Sequence, residues 1–256
     1  MKKFVLIGLL ILAGTSMLAA QIPADGWYFT QDNLSSNPSN PWAAQMVVQV
    51  QGGKVAYVNW NYRGILSEAK DRKTAEPTGA FTTVAKTLEA YLLANPTDLN
   101  VTKVSSVADA QVKAFYDLVK RALAAAPVAK GIYKGVATCG WYYGAASAQD
   151  SYGTRNTVLI TLVNGTIVDV VWNGILNYPG MDHSKLIVSM QGGYPMTGAK
   201  QAWHVQAVLG ARKLVEVQDP AKITVKSNGT TDAISGASIL VKDFLAVATQ
   251  VLAPLR

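Results

Sequence analysis

The sequence predicts an α+β protein made of two tandem duplicated domains, each an antiparallel sheet covered by helices. Three observations predict it. Two β-branched runs folded about glycine turns sit in different halves of the chain. Each hairpin is followed by segments with helix-like apolar spacing. The matching pieces occur in the same order twice, with a proline between the two sets.

The elements follow in chain order. Residues 1–20 read as a secretory signal peptide: Met1-Lys2-Lys3, then an apolar run that ends in Leu18-Ala19-Ala20. Gly8, Gly14, Thr15 and Ser16 interrupt the run, which is marginal for a membrane span of ~20 residues. Cleavage near Ala20 is the expectation, and retention as an anchor is the alternative. A first domain, 21–127, opens with Gly26-Trp27-Tyr28-Phe29. Its hairpin pairs 46–50 with 54–61 through Gly52-Gly53, and Gly64-Ile65-Leu66 follows. Apolar spacing predicts a helix over 81–93, a short strand over 99–104 and a closing helix over 112–125. Pro127 stops that helix and marks the seam.

The second domain, 128–256, repeats the plan. Gly131-Ile132-Tyr133-Lys134 echoes the opening, and the second hairpin joins 158–162 to 166–173 through Asn164-Gly165. Gly174-Ile175-Leu176, a helix over 199–215 and a strand over 223–225 come next. Asp232-Ala233, matched to Asp109-Ala110, leads into a terminal helix over 238–252. Trp60 and Trp172 stand at equivalent strand ends, where core packing and ring stacking on a ligand are both open.

Composition narrows the function. The net charge of +7 fits attraction to an anionic membrane surface or to anionic small ligands. Its basic residues are scattered, and no basic stripe interleaved with aromatics marks a nucleic-acid binder. Cys139 is the one cysteine, so no internal disulfide forms and no redox pair exists. His183 and His204 lack the spacing of metal ligands, and no nucleophile elbow or phosphate-binding Gly-Lys-Ser/Thr loop is present.

One segment carries chemistry: Thr231-Asp232-Ala233-Ile234-Ser235-Gly236-Ala237-Ser238. Small residues ahead of an apolar helix pattern place a tight turn where unpaired N–H groups converge, which suits a phosphate. Ser235 and Ser238 add hydroxyls that can contact or esterify it. An ordinary N-cap is the plain alternative for the turn taken by itself.

Together with Gly131-Ile132-Tyr133-Lys134-Gly135, Asn164-Gly165 and Tyr178-Pro179-Gly180, this segment resembles the FMN-binding domain family. That family includes the flavin-carrying subunits of the sodium-pumping NADH:quinone oxidoreductase and of the Rnf complex, and tandem-domain exported flavoproteins. The resemblance covers 130–256 and extends more faintly to the first half. It implies FMN with its phosphate held at Ser238, where the family usually carries the threonine that a flavin transferase esterifies. Ser235, Gly236 and Ala237 would shape the phosphate loop, and Asp232 would be needed for attachment. Thr231, Tyr178 and Trp172 complete the expected cofactor-binding set. Tyr178 lies in Asn177-Tyr178-Pro179-Gly180, where the family has Glu-Thr-Pro-Gly. Covalent and non-covalent FMN both stay open. Phe115, matched to Ser238 in this reading, leaves the first half without the motif. The implied role is an exported, periplasmic or cell-envelope electron carrier rather than an enzyme with its own substrate. It would serve a redox partner protein or a membrane electron-transfer complex. A non-redox envelope binding or scaffold protein on a decayed FMN-binding fold is the alternative.

Overall fold

The computed structural model describes residues 22–34, 37, 39–66, 68, 70–135, 139–176, 184–194 and 196–256. The expected signal segment at 1–20 lies outside them. Among the described residues, two three-stranded antiparallel sheets and six α-helices fit the α+β class.

The first sheet holds β1 (Gly26–Gln31), β2 (Trp42–Gln51) and β3 (Lys54–Gly64), in that order. Gly52 and Gly53 both have positive φ, the backbone a tight two-residue hairpin turn requires. The short α1 (Arg72–Ala75) follows, then α2 (Ala80–Ala94) and α3 (Asp109–Leu123). The second sheet holds β4 (Gly140–Ala145), β5 (Thr154–Val163) and β6 (Thr166–Leu176), turning at Asn164-Gly165 with both φ angles again positive. The helices α4 (Lys185–Met190), α5 (Trp203–Val217) and α6 (Lys242–Leu252) come after it.

The registers correspond strand for strand. Gly26 pairs with Val50 and Gly140 with Leu162, and the ladder slips between Gln49 and Val50 in one sheet and between Thr161 and Leu162 in the other. Gly140-Trp141-Tyr142-Tyr143 is therefore the counterpart of Gly26-Trp27-Tyr28-Phe29. The expected match at Gly131-Ile132-Tyr133-Lys134 is corrected. That segment is not a strand but docks on the β5–β6 turn, where the Gly131 amide donates to Asn164. A side chain at Gly131 would collide with the Gly165 carbonyl, so only glycine fits this approach.

Three further expectations are corrected. Residues 99–104 and 223–225 form no strand. Leu99, Val104 and Ile223 instead plug the core singly, from irregular backbone. The fifth helix begins at Trp203, since 199–202 are irregular backbone with a bend at 200–201. The last helix begins at Lys242, not Ser238, because the amides of Val241 and Lys242 both donate to the Gly229 carbonyl and hold 238–241 as a loop. The pattern of buried residues also moves the match between the closing helices. Val112, Phe115, Val119 and Leu123 of α3 correspond to Val241, Phe244, Ala248 and Leu252. Phe115 is thus the counterpart of Phe244 and not of Ser238.

Both faces of each sheet are covered. Ala44, Met46, Val48 and Trp60 face α2 and α3, and Val158, Ile160 and Trp172 face α5 and α6. Full burial of each such side chain stabilises by about 1.5–3 kcal/mol. The opposite faces meet each other rather than water. There Gln45 donates to Asp169 at 3.0 Å, Arg63 pairs with Asp169, and Trp141 and Thr161 donate to Gln45. Asn173 donates to the carbonyls of Ile65 and Leu66.

Candidate functional site

A cavity of about 540 Å³ opens on the helix side of the second sheet. The start of β5 and the end of β6 floor it, and α4, α5 and the loop 226–241 wall it. That size suits a small organic ligand or cofactor.

Lys185 is its central cation. Ser184 positions it by capping α4, with the Ser184 hydroxyl accepting from the Ile187 amide. Asn173 holds the cap in turn, donating to Ser184 and accepting from the Leu186 amide. The Lys185 ammonium donates to Thr154 at 3.0 Å and lies 4.5 Å over the Tyr194 ring and 4.8 Å over the Trp203 ring. Such cation–π contacts favour the charged form. Burial opposes them and pulls the Lys185 pKa down to about 8, with Asp150 acting in the other direction. Lys185 has no ion pair among the described residues. Asp150 turns its carboxylate to the amides of Tyr152 and Thr154 and to the Asn156 side chain.

Trp172 forms the inner wall. Its ring stacks on Phe244 at 4.3 Å and meets Trp203 edge-on at 5.6 Å, and its indole N–H donates to Asn156. A Cβ at Gly210 would lie 2.8 Å from the ring, so α5 packs closely on Trp172 as well. Packing, one of its two open roles, is what the geometry displays. At the rim stands Tyr152, 68% exposed.

The loop 226–241 brings only part of the expected set to the cavity. Ser238 lines it, with its hydroxyl 3.3 Å from the side-chain oxygen of Gln206. The same oxygen accepts from the amides of Ser238 and Ile239 at 2.6 and 3.2 Å. A buried neutral acceptor thus already satisfies two N–H groups expected to face a phosphate. Gly236 has φ +82, as the tight turn demands, and Ser235, Gly236 and Ala237 lie outside the cavity lining. Thr231 is spent on the loop itself, donating to Thr224 and accepting from Ala233. Asp232 is exposed and pairs with Lys226 at 2.6 Å. Thr230 and Asn228 line the cavity instead. Tyr178, Pro179 and His183 lie outside the described residues.

Sequence reasoning missed Lys185, Asn156 and Gln206. One signal for Lys185 was present: a lysine directly after a serine cap opposes the usual charge preference of a helix start, so another role keeps it there. Gln206 carried no signal, since it is an ordinary helix residue made important by what α5 faces.

The equivalent space beside the first sheet is filled. Trp42 and Tyr62 take the places of Thr154 and Gly174, and Ala44 that of Asn156. Arg72, in the place of Lys185, lies over Trp42, Tyr62 and Phe81 at 5.6, 5.6 and 4.9 Å. The Trp60 indole N–H, lacking a counterpart of Asn156, is buried without a partner.

Elsewhere, His204 and Ser189 share a 3.0 Å hydrogen bond, and burial pushes the Cys139 thiol up to about 11. No cluster of three metal-ligating side chains occurs among the described residues, and no helix there is long and apolar enough to cross a membrane.

No protein-family profile and no curated protein matches the chain. Among solved structures, a solution NMR structure of a Clostridium thermocellum protein, a structural-genomics target, is 42% identical to it. The alignment covers 46% of this chain and 91% of that one, with a TM-score of 0.37.

Proposed function

We propose that the protein is an exported FMN-binding electron carrier whose flavin occupies the cavity of the second half. One observation carries the reading: a buried ammonium at Lys185, without an ion pair among the described residues, and the Ser238 hydroxyl line the same aromatic-walled space. A flat, anionic, partly apolar ligand matches that lining. Trp203, Tyr194 and Tyr152 offer ring surface, and Lys185 offers positive charge. Ser238 offers the oxygen that a flavin transferase would esterify, and non-covalent FMN remains the alternative. Bound FMN would supply the redox chemistry, and the chain's residues would hold it and exclude water. No general base or nucleophile is needed for that task.

In this reading the chain is two tandem duplicated domains, 21–127 and 128–256, behind a signal peptide at 1–20. The matched strand registers support the duplication. Trp42, Tyr62 and Phe81 close the first site, which leaves the first half a packing or docking role. The carrier would work in the periplasm or at the cell envelope, exchanging electrons with a redox partner protein or a membrane electron-transfer complex. Its positive charge favours association with an anionic membrane surface.

Gln206 favours a second reading, a non-redox envelope binding or scaffold protein on a decayed FMN-binding fold. Its side chain already occupies the amides that a phosphate would use. Co-expression with a flavin transferase, followed by an absorption spectrum and intact mass, separates the two. The carrier reading expects a visible flavin band near ~450 nm, which belongs to the cofactor. A colourless protein of unmodified mass that also takes up no added FMN would leave the second reading standing.

A further inference from the structure

Among the described residues, two charged ones line the cavity, Asp150 and Lys185, and they are not equivalent. Asp150 is committed to two backbone amides and the Asn156 side chain. Lys185 is only 4% exposed and, among the described residues, has one hydrogen-bond acceptor, the Thr154 hydroxyl, for three N–H donors. Burying an ammonium is costly unless something compensates it. Two aromatic faces and one hydroxyl compensate it in part, and an anion in the cavity would complete the job. The loop beside it points the same way. With the amides of Ser238 and Ile239 held by Gln206, a phosphate near Ser238 finds little positive potential from that backbone. The charge must come from elsewhere on the cavity wall, and Lys185 is the cation there.

We propose that the Lys185 ammonium is the anion-binding group of this cavity and takes a phosphate oxygen of the ligand, whether that phosphate is free or esterified to Ser238. The inference rests on the flavin reading for the rest of the ligand, but not for the anion. Lys185 acts by a charge-assisted hydrogen bond, the strong class of such bonds. Thr154 and the rings of Tyr194 and Trp203 fix its direction.

The test uses the full chain and three probes: FMN, riboflavin and inorganic phosphate, each titrated while tryptophan fluorescence is followed. Lys185→Met keeps the apolar stem between the two rings and removes the charge. It is expected to weaken FMN binding by roughly 10- to 100-fold, the range of a charged hydrogen bond, and to leave riboflavin within about twofold. Lys185→Arg is expected to restore most of the FMN affinity, and thermal melts check that both variants fold. Equal weakening of FMN and riboflavin, or no weakening of FMN, overturns the proposal. If neither flavin binds but phosphate does so in a Lys185-dependent way, the anion site stands and the flavin reading falls. Phosphate that binds Lys185→Met as well as the parent chain, or binds neither, overturns the site itself. Ser238→Ala separates the sources. Lys185-dependent FMN binding that survives in this variant marks a free phosphate. In flavin-esterified protein, a ³¹P resonance that moves on Lys185→Met marks the ester.

Discussion

The indole N–H of Trp172 donates to the side-chain oxygen of Asn156 at 2.9 Å, and that bond closes the inner wall of the cavity. In the other half, Trp60 has no such partner because Ala44 stands at the matching position. Asn156→Leu should leave the Trp172 N–H unsatisfied and also release Asp150. A loss of about 1–3 kcal/mol is expected, the cost of an orphaned buried donor, read by chemical denaturation. A change within error would mean that water reaches the indole.

Ser238→Ala is expected to abolish covalent flavin. Intact mass of protein co-expressed with a flavin transferase checks this. The residue is exposed and its hydroxyl bond to Gln206 is long, so stability should move by no more than about 0.5 kcal/mol. A flavin mass that persists in the variant would put the attachment at another hydroxyl.

Lys185 should write itself into the pH dependence of stability. Its folded pKa is lowered to about 8 from the ordinary 10.5, mainly by burial. Between those values the unfolded chain binds more protons than the folded one, so stability rises with pH across the window. The penalty is fully present below about 8. Lys185→Met, melted without flavin or phosphate, should therefore show its largest advantage over the parent chain below pH 8. The gap should close towards pH 10.5, whereas a gap independent of pH would place the titration elsewhere. Anion affinity of the parent chain should fall as pH rises past about 8. Asp150, Tyr152 and Tyr194 share the cavity; Asp150 acts to raise the lysine's pKa, and the Tyr194 ring lies under its ammonium.

Gln206→Glu gives a different separation. A carboxylate oxygen can still accept from the amides of Ser238 and Ile239, which should hold that end of the loop, while the bond that Gln206 donates to the Gln201 carbonyl is lost. The added negative charge beside the cavity should lower FMN affinity by about tenfold or more while sparing riboflavin. Gln206→Leu should instead loosen the loop, with a stability loss of about 1–3 kcal/mol for its unpaired amides. Fluorescence titration and denaturation, run on both variants, check the contrast.

Asp169→Ala should be among the most damaging single changes outside the cavity. It leaves the buried Arg63 guanidinium without its carboxylate, at an expected cost of about 3–5 kcal/mol. The apolar pair Arg63→Met with Asp169→Leu should be less harmful than the single change. Thermal melts of all three proteins settle the order.

The hairpins were legible because their signals are local: β-branched runs around Gly52-Gly53 and Asn164-Gly165 leave few other folds open. Helices α2 and α3 were legible from apolar spacing. The β4 strand was not found, because the echo of Gly26 was sought at Gly131, where a docking glycine imitates an opening one. The start of α6 depended on Gly229, a residue distant in sequence whose carbonyl takes the amides that a longer helix would have used. At the cavity, two residues that the sequence singled out, Ser238 and Trp172, are among those lining it. For Lys185 the sequence held only the anomaly of a lysine at a helix start, and for Asn156 and Gln206 nothing, since their importance comes from α4, β5 and α5 converging on one space. Nor could it foresee that the far faces of the sheets meet, because Gln45, Arg63 and Asp169 read as ordinary polar, outward-facing strand residues.

Gln45 touches Gln31 on its own sheet and Trp141, Thr161 and Asp169 on the other. A change at Gln45, or at any of its three partners on the other sheet, strands a polar atom in the opposite half. The inner faces of the two halves are therefore tied to each other: a substitution tolerated on one sheet depends on which polar partner the other sheet offers.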